Sequence, residues 1–304
     1  MTQHEPPAAP QPSDPQNNQL EQQHHNANNS QVITSQLVTE KAEHDLGMIA
    51  MWVSLLVMVV FVALMQFGPL GISPTIHIDD FFTPEPWAGL IWIVAFILLA
   101  IWIMRAGRAK HHGTNKVKKS YTMLTVAMVV LALCTLGWTL CWHAGNAPWA
   151  VIFVVLMTVL TWMLERMAYK RDHTAWAQWP FQLLGAWLVV QTIVDLFRAV
   201  VHYLMMDGHV SDFSQEVFTI LLGAALMLAA CALKTKHHNW LFGAVALFSL
   251  LAVAIHLMNV AKLVAVIIVI EMTLAAIYMY VPWKPIAQVM ATRQNNAQPK
   301  EQKH

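Results

Sequence analysis

Eight apolar runs of helical length, at 48–67, 87–104, 121–142, 148–164, 179–206, 217–233, 240–258 and 263–281, constrain this chain more than any other feature. Each is long enough, or nearly so, to cross a hydrocarbon layer as a helix, and each carries few charges or none. Composition points the same way. Only 12% of the 304 residues are charged and 57% are hydrophobic, and the charged share is about half that of a soluble globular protein. The predicted fold is all-α: an integral membrane bundle of eight transmembrane helices.

The net charge of +1 conceals a strong asymmetry along the chain. Counting from the N-terminal tail, the even-numbered connections and the C-terminal tail hold every Lys and Arg except Arg198 and Lys262. The first intervening loop, "GPLGISPTIHIDDFFTPEP", carries Asp79, Asp80 and Glu85 instead. Positive charge is retained on the cytoplasmic side, so both termini are expected there, in a multi-pass protein of the cell membrane. Lys262 lies in the turn before the eighth run, from which its side chain reaches water.

Residues 1–46 lack a basic start and an apolar core, so the first helix is expected to act as the uncleaved insertion signal. Their Gln, Asn, Pro, Ser and Ala predict a disordered cytoplasmic tail, and a second amide-rich tail is expected over 285–304. Cys134, Cys141 and Cys231 lie inside predicted helices without metal or disulfide spacing and read as packing residues. No phosphate-binding glycine loop, HExxH or nucleophile elbow occurs, which argues against an ATP-driven pump or a hydrolase. The basic loop "RAGRAKHHGTNKVKK" is better explained by topology and anionic lipid than by nucleic acid.

The fifth run departs from the rule that charge stays outside. Trp187, Gln191, Asp195, Arg198 and His202 recur at the spacing of one helical face. With the run centred near residue 192, Asp195 lies about 4 Å and Arg198 about 8 Å from the midplane. A lipid-facing charge at such depth costs about 2.5–3.5 kcal/mol, so this face should turn into the bundle. Two readings stay open: the pair neutralises itself and knits helices together, or it lines a ligand or ion site. Glu271, at the centre of the eighth run, either reaches Arg198 across the bundle or is carried as the neutral acid. His143, His202 and His256 fall near the outer ends of their helices. Paired axial ligation of a haem by such histidines is weighed against imidazoles resting at a wet interface.

There are 13 Trp against 5 Tyr. Trp87, Trp149, Trp179, Trp240 and Trp283 sit where an interfacial belt is expected, whereas Trp92, Trp138, Trp162 and Trp187 lie deeper. Three stretches resemble the TspO/MBR family of tryptophan-rich sensory proteins, related to the translocator or peripheral benzodiazepine receptor. "FFTPEPWAGLIWIVAFILL" is similar to its F-T-P…I-W pattern through Phe82, Thr83, Pro84, Ile91 and Trp92. "LGWTLCWH" is similar to W-x-x-x-W-H at Trp138, Trp142 and His143, and "WPFQLLGAWLVVQTIVDLF" to P-F…W…T…N at Pro180, Phe181, Trp187 and Thr192. Asp195 stands where the pattern has Asn, and Leu184 where it has an aromatic.

The resemblance covers about residues 45–281 and is closest to longer members with helices added after a five-helix core. It implies a TspO-like core over 47–206, three further helices within 207–284, and no enzyme activity. It also implies binding of a porphyrin, another tetrapyrrole or haem, or a sterol-like molecule, as sensor or carrier. Expected ligand-binding residues are Trp92, Trp138, Trp142, His143, Trp187, Gln191, Asp195 and Arg198, with the indoles as apolar walls and Arg198 meeting an anionic group. No resident cofactor or metal is expected. The alternative is a proton- or ion-coupled transporter with Asp195, Arg198 and Glu271 as its relay. Expected partners are the bilayer and the small hydrophobic ligand, with no nucleic acid. Ala225 and Ala229, four apart, would suit close helix contact in a homodimer, although packing within one chain is the default.

Overall fold

Eight helices long and apolar enough to cross a membrane form in the computed structural model, which describes residues 45–70, 81–108, 115–172, 174–207, 211–237 and 240–281. They are α1 (Asp45–Phe67), α2 (Leu90–Arg108), α3 (Asn115–His143), α4 (Ala147–Arg171), α5 (Ala175–Asp207), α6 (Asp212–His237), α7 (Trp240–Val260) and α8 (Lys262–Tyr280). A 3-10 turn, Pro86–Gly89, leads into α2. No strand occurs among the described residues. The chain divides into two compact units, Met1–Ile49 and Ala50–His304. Of the first, only the opening residues of α1 are described. The expected boundary at 206/207, between the five-helix core and the three further helices, falls inside the second unit. The disordered tails expected up to residue 44 and from 285 on, and the interfacial place of Trp283, lie outside the described residues.

Several helices run past the apolar segments that announce them. α4 continues through Glu165 and Arg166 and ends on Lys170 and Arg171, two cations that suit the negative end of the helix dipole. Between α3 and α4 the chain turns sharply. Gly145 adopts φ 74°; its N–H bonds Trp142 O at 3.2 Å, and Asn146 N–H bonds Cys141 O at 2.8 Å. This closure satisfies the last carbonyls of α3 and needs a residue tolerant of positive φ. α7 and α8 are separated by Ala261 alone (φ −143°, ψ 78°), which leaves Lys262 exposed, as expected of a snorkelling side chain.

α5 is the central helix. It packs against α2, α4 and α7, α3 packs on α4, and α6, α7 and α8 pack on one another. Of the apolar window in α5, 67% is buried, against 28% in α6 and α8. The helix faces obey the cost of burying charge in lipid: Asp195 and Arg198 are buried, while Leu196 and Val200 beside them are exposed. Trp149 and Trp240 are also exposed, in keeping with a belt. Trp162, grouped with the deep indoles, is exposed as well, and lies over Gly185 of α5. Ala225 and Ala229 are on the exposed side of α6.

Close approach of α3 and α4 depends on Gly137, where a Cβ would lie 2.7 Å from the Phe153 ring. A branched side chain there must displace that ring or part the helices. Gly137→Val is expected to destabilise the protein by about 1–3 kcal/mol, read as a lower melting temperature in detergent. Adding Phe153→Ala should recover part of that loss. Unchanged melting of the single variant would contradict the packing described.

Candidate functional site

Three N–H donors converge on one carboxylate. Asp195 is fully buried in α5, and its Oδ2 accepts from Trp138 Nε1 at 2.6 Å and from Trp142 Nε1 at 3.2 Å. Its Oδ1 accepts from Gln191 Nε2 at 2.7 Å, one turn earlier on the same helix. Trp138 and Trp142 stand four apart on α3, so both indoles project from one face. A carboxylate has only acceptors to offer, and every neighbour bonded to it here is a donor. An apolar interior makes such bonds strong and their absence costly.

Arg198 is buried one turn beyond Asp195, near enough for its charge to act on the carboxylate. Its Nη2 also donates to Thr83 Oγ1 at 3.2 Å. Thr83 belongs to the segment before α2, where buried Phe82 packs near Phe197 with ring centroids 6.1 Å apart. The F-T-P stretch therefore grips the end of the polar face of α5 through an aromatic and a hydroxyl. Glu85 N–H, from the same segment, bonds Ala252 O of α7 at 3.3 Å, and Trp87 meets Phe248 edge-on at 5.2 Å.

Around Asp195 the aromatics are close-packed. Trp92 lies 6.3 Å from Trp138 and 6.2 Å from Trp187, the latter edge to face, and stacks on Phe96 at 5.5 Å. Trp92, Trp138, Trp142 and Trp187 are each at most 3% exposed. Trp92 Nε1 and Trp187 Nε1 are buried and have no hydrogen-bond partner among the described residues. Behind the cluster, the Thr158 and Thr192 hydroxyls meet at 3.2 Å between α4 and α5. Leu184, the departure from the aromatic of the family pattern, is a buried core residue.

The structure thus brings together Trp92, Trp138, Trp142, Trp187, Gln191, Asp195 and Arg198. Trp138 and Trp142, expected as apolar walls, are hydrogen-bond donors too. His143 does not join them: it is exposed at the end of α3, because one residue past Trp142 turns about 100° around the helix. Glu271 does not reach Arg198. α8 packs on α6 and α7, and Glu271 lies against Gly223 of α6. The three outer histidines have different surroundings: His256 Nδ1 is 3.6 Å from Glu85 Oε1, the His202 ring lies 5.6 Å from Tyr203, and His143 is exposed. No group of three or more His, Cys, Asp or Glu among the described residues is arranged for a metal ion. Sequence reasoning missed Thr83 as a partner of Arg198. A hydroxyl in the F-T-P turn before α2, in a bundle with an intramembrane arginine to satisfy, was the available signal.

Replacing the carboxylate separates bonding from shape. Asp195→Leu strands two buried indole N–H groups and is expected to lower stability by about 2–5 kcal/mol. Asp195→Asn keeps one acceptor for the indoles and turns its amide toward Gln191, whose own amide can flip to accept. Its loss should stay below about 1.5 kcal/mol, rising when Gln191→Leu is added. Thermal unfolding of the three variants checks this. Equal losses for Leu and Asn would contradict the bonding pattern.

A family model described as TSPO-like protein matches residues 48–281, the whole of the helical bundle from α1 onward. No curated protein and no solved structure was found that matches the chain. With more than half of its length matched and the family-like motifs meeting around Asp195, the chain belongs to the TSPO-like protein family, as a multi-pass membrane protein with eight spanning-length helices among its described residues.

Proposed function

We infer that the protein is a membrane receptor or carrier, rather than an enzyme, for a flat hydrophobic ligand with an anionic or strongly accepting edge. A porphyrin or other tetrapyrrole, haem included, is the leading class, and a sterol-like molecule the second. The observation that carries this reading is the pair of buried indole donors, Trp92 Nε1 and Trp187 Nε1, that have no acceptor among the described residues. Buried N–H groups normally find one, and these two belong to rings in mutual contact. A flat ligand exchanges indole–indole contacts for its own and supplies the missing acceptor.

In this reading the four indoles are the walls, Gln191 and Asp195 fix orientation, and Arg198 meets a propionate or similar group. His143, being exposed, has no part in it. The rival, a single relay through Asp195, Arg198 and Glu271, has less support, since Glu271 of α8 packs against Gly223 of α6 while Arg198 bonds Thr83. The distribution of Lys and Arg supports a cell-membrane orientation with both termini cytoplasmic. For homodimerisation, the exposed small pair Ala225 and Ala229 is the face to test.

Titration with protoporphyrin should quench tryptophan fluorescence saturably. Trp187→Phe, which keeps a ring but removes the donor, and Arg198→Gln should each weaken binding about tenfold, the worth of one good hydrogen bond. Trp149→Phe, an exposed site, should leave it unchanged. The dimethyl ester of the porphyrin should bind wild type and Arg198→Gln alike. Wild-type affinity in Trp187→Phe and Arg198→Gln would overturn the assignment.

A further inference from the structure

The buried face of α6 changes character along its length. Gln215, Thr219, Gly223, Leu226, Met227 and Ala230 recur at helical spacing and are all buried. The later members are apolar; the first two are polar. Gln215 Oε1 and Thr219 Oγ1 have no hydrogen-bond partner among the described residues, although Gln215 is 2% exposed and Thr219 0%. Thr219 also differs from the helical hydroxyls elsewhere in the bundle. Ser54, Thr135, Thr139, Thr158, Thr161, Thr192, Ser249 and Thr273 each donate to the carbonyl four residues back. That bond is the local option for a hydroxyl inside a helix. Thr219 does not make it, so its hydroxyl remains open within the packed face.

Glu271 meets this face where the polar part ends. A Cβ on Gly223 would lie 2.8 Å from Glu271 Oε2, so the absence of a side chain there is what admits the carboxyl group. Oε2 is buried and has no hydrogen-bond partner among the described residues. An amide oxygen, a hydroxyl and a carboxyl group therefore follow one another along α6. Four residues of helix rise about 6 Å, which spaces them over a file about 12 Å long. The file starts near the beginning of α6, at the membrane face of the acidic loop, and ends near the middle of α8. Leu226, Met227 and Ala230 close the seam beyond it.

Among the described residues, no charged group faces Glu271 from the helices packed on it. On α6 the titratable residues are Asp212, Glu216, Cys231, Lys234, Lys236 and His237, and on α7 His256; each is at least about 9 Å of helical rise from the Gly223 level. On α8 itself, Lys262, Tyr278 and Tyr280 are equally remote. A hard metal ion needs several oxygens around one point, and oxygens about 6 Å apart in a file do not provide that. A file of acceptors ending on one carboxyl group suits a proton handed along water.

We propose that Glu271 is a proton-binding group of the three-helix extension, reached from the acidic membrane face along Gln215 and Thr219 and sealed toward the basic face. Loading transfers a proton from water to the carboxylate and unloading returns it, with no other bond made or broken. This site is separate from the ligand reading of the Asp195 cluster and does not rest on it.

The test uses the full chain in liposomes and infrared difference spectra recorded against pH. A carboxylic-acid carbonyl band that titrates should vanish in Glu271→Gln and persist in Asp195→Asn. Thr219→Val and Gln215→Leu should keep the band but slow its hydrogen–deuterium exchange at least about tenfold, as expected for losing a hydrogen-bonding step. Leu226→Val, in the sealed half, should not slow it. If Thr219→Val fails to fold, Gln215→Leu carries this arm. A band that survives Glu271→Gln, wild-type exchange in the Gln215 variant, or a band moved by sodium at constant pH would each overturn the proposal.

Discussion

Asp195 has both of its carboxyl oxygens hydrogen-bonded inside the hydrocarbon layer, and the bundle is arranged around those bonds. Its three bonded donors come from two helices: the Trp138 and Trp142 indoles from α3 and the Gln191 amide from α5. Since α3 packs on α4, these indoles also tie α3 to α5 through side chains. The large rings reach where the backbones do not.

From that anchor the rest of the central helix follows. Asp195 fixes which face of α5 points inward, which buries Arg198 one turn on and leaves Leu196 and Val200 to lipid. Arg198 in turn holds Thr83, and the segment that carries Thr83 reaches across to α7 through Glu85 and Trp87. α5 and α7 are thus linked through this segment as well as by their own contact.

The sequence was most legible where physics leaves one solution. Apolar runs of spanning length became helices, and the spacing of Trp187, Gln191, Asp195 and Arg198 marked a face too polar for lipid. Helix ends were less legible, because α4 continues into charged residues that suit a helix end and carry no hydropathy signal. Partners across the bundle were not legible at all from periodicity. Glu271 was open to Arg198 or to a neutral state, and its position against Gly223 depends on how α8 packs on α6. Trp138 and Trp142 read as walls because an indole is mostly hydrocarbon. Their donor role shows only when the acid they face is known. The place of His143 was not legible from the motif, since a position adjacent to Trp142 lies on another face of the helix.

The bundle is held at its centre by the bonds from the Trp138 and Trp142 N–H groups to the Asp195 carboxylate. Indole resonances in the nitrogen–proton NMR spectrum of the labelled protein in lipid or detergent test this most directly. Two indole signals should be shifted downfield of that of exposed Trp149 and slow to exchange with solvent, and both should move when Asp195 alone is replaced. Signals assigned to Trp138 and Trp142 that sit with Trp149 and ignore Asp195 would show that these bonds do not form.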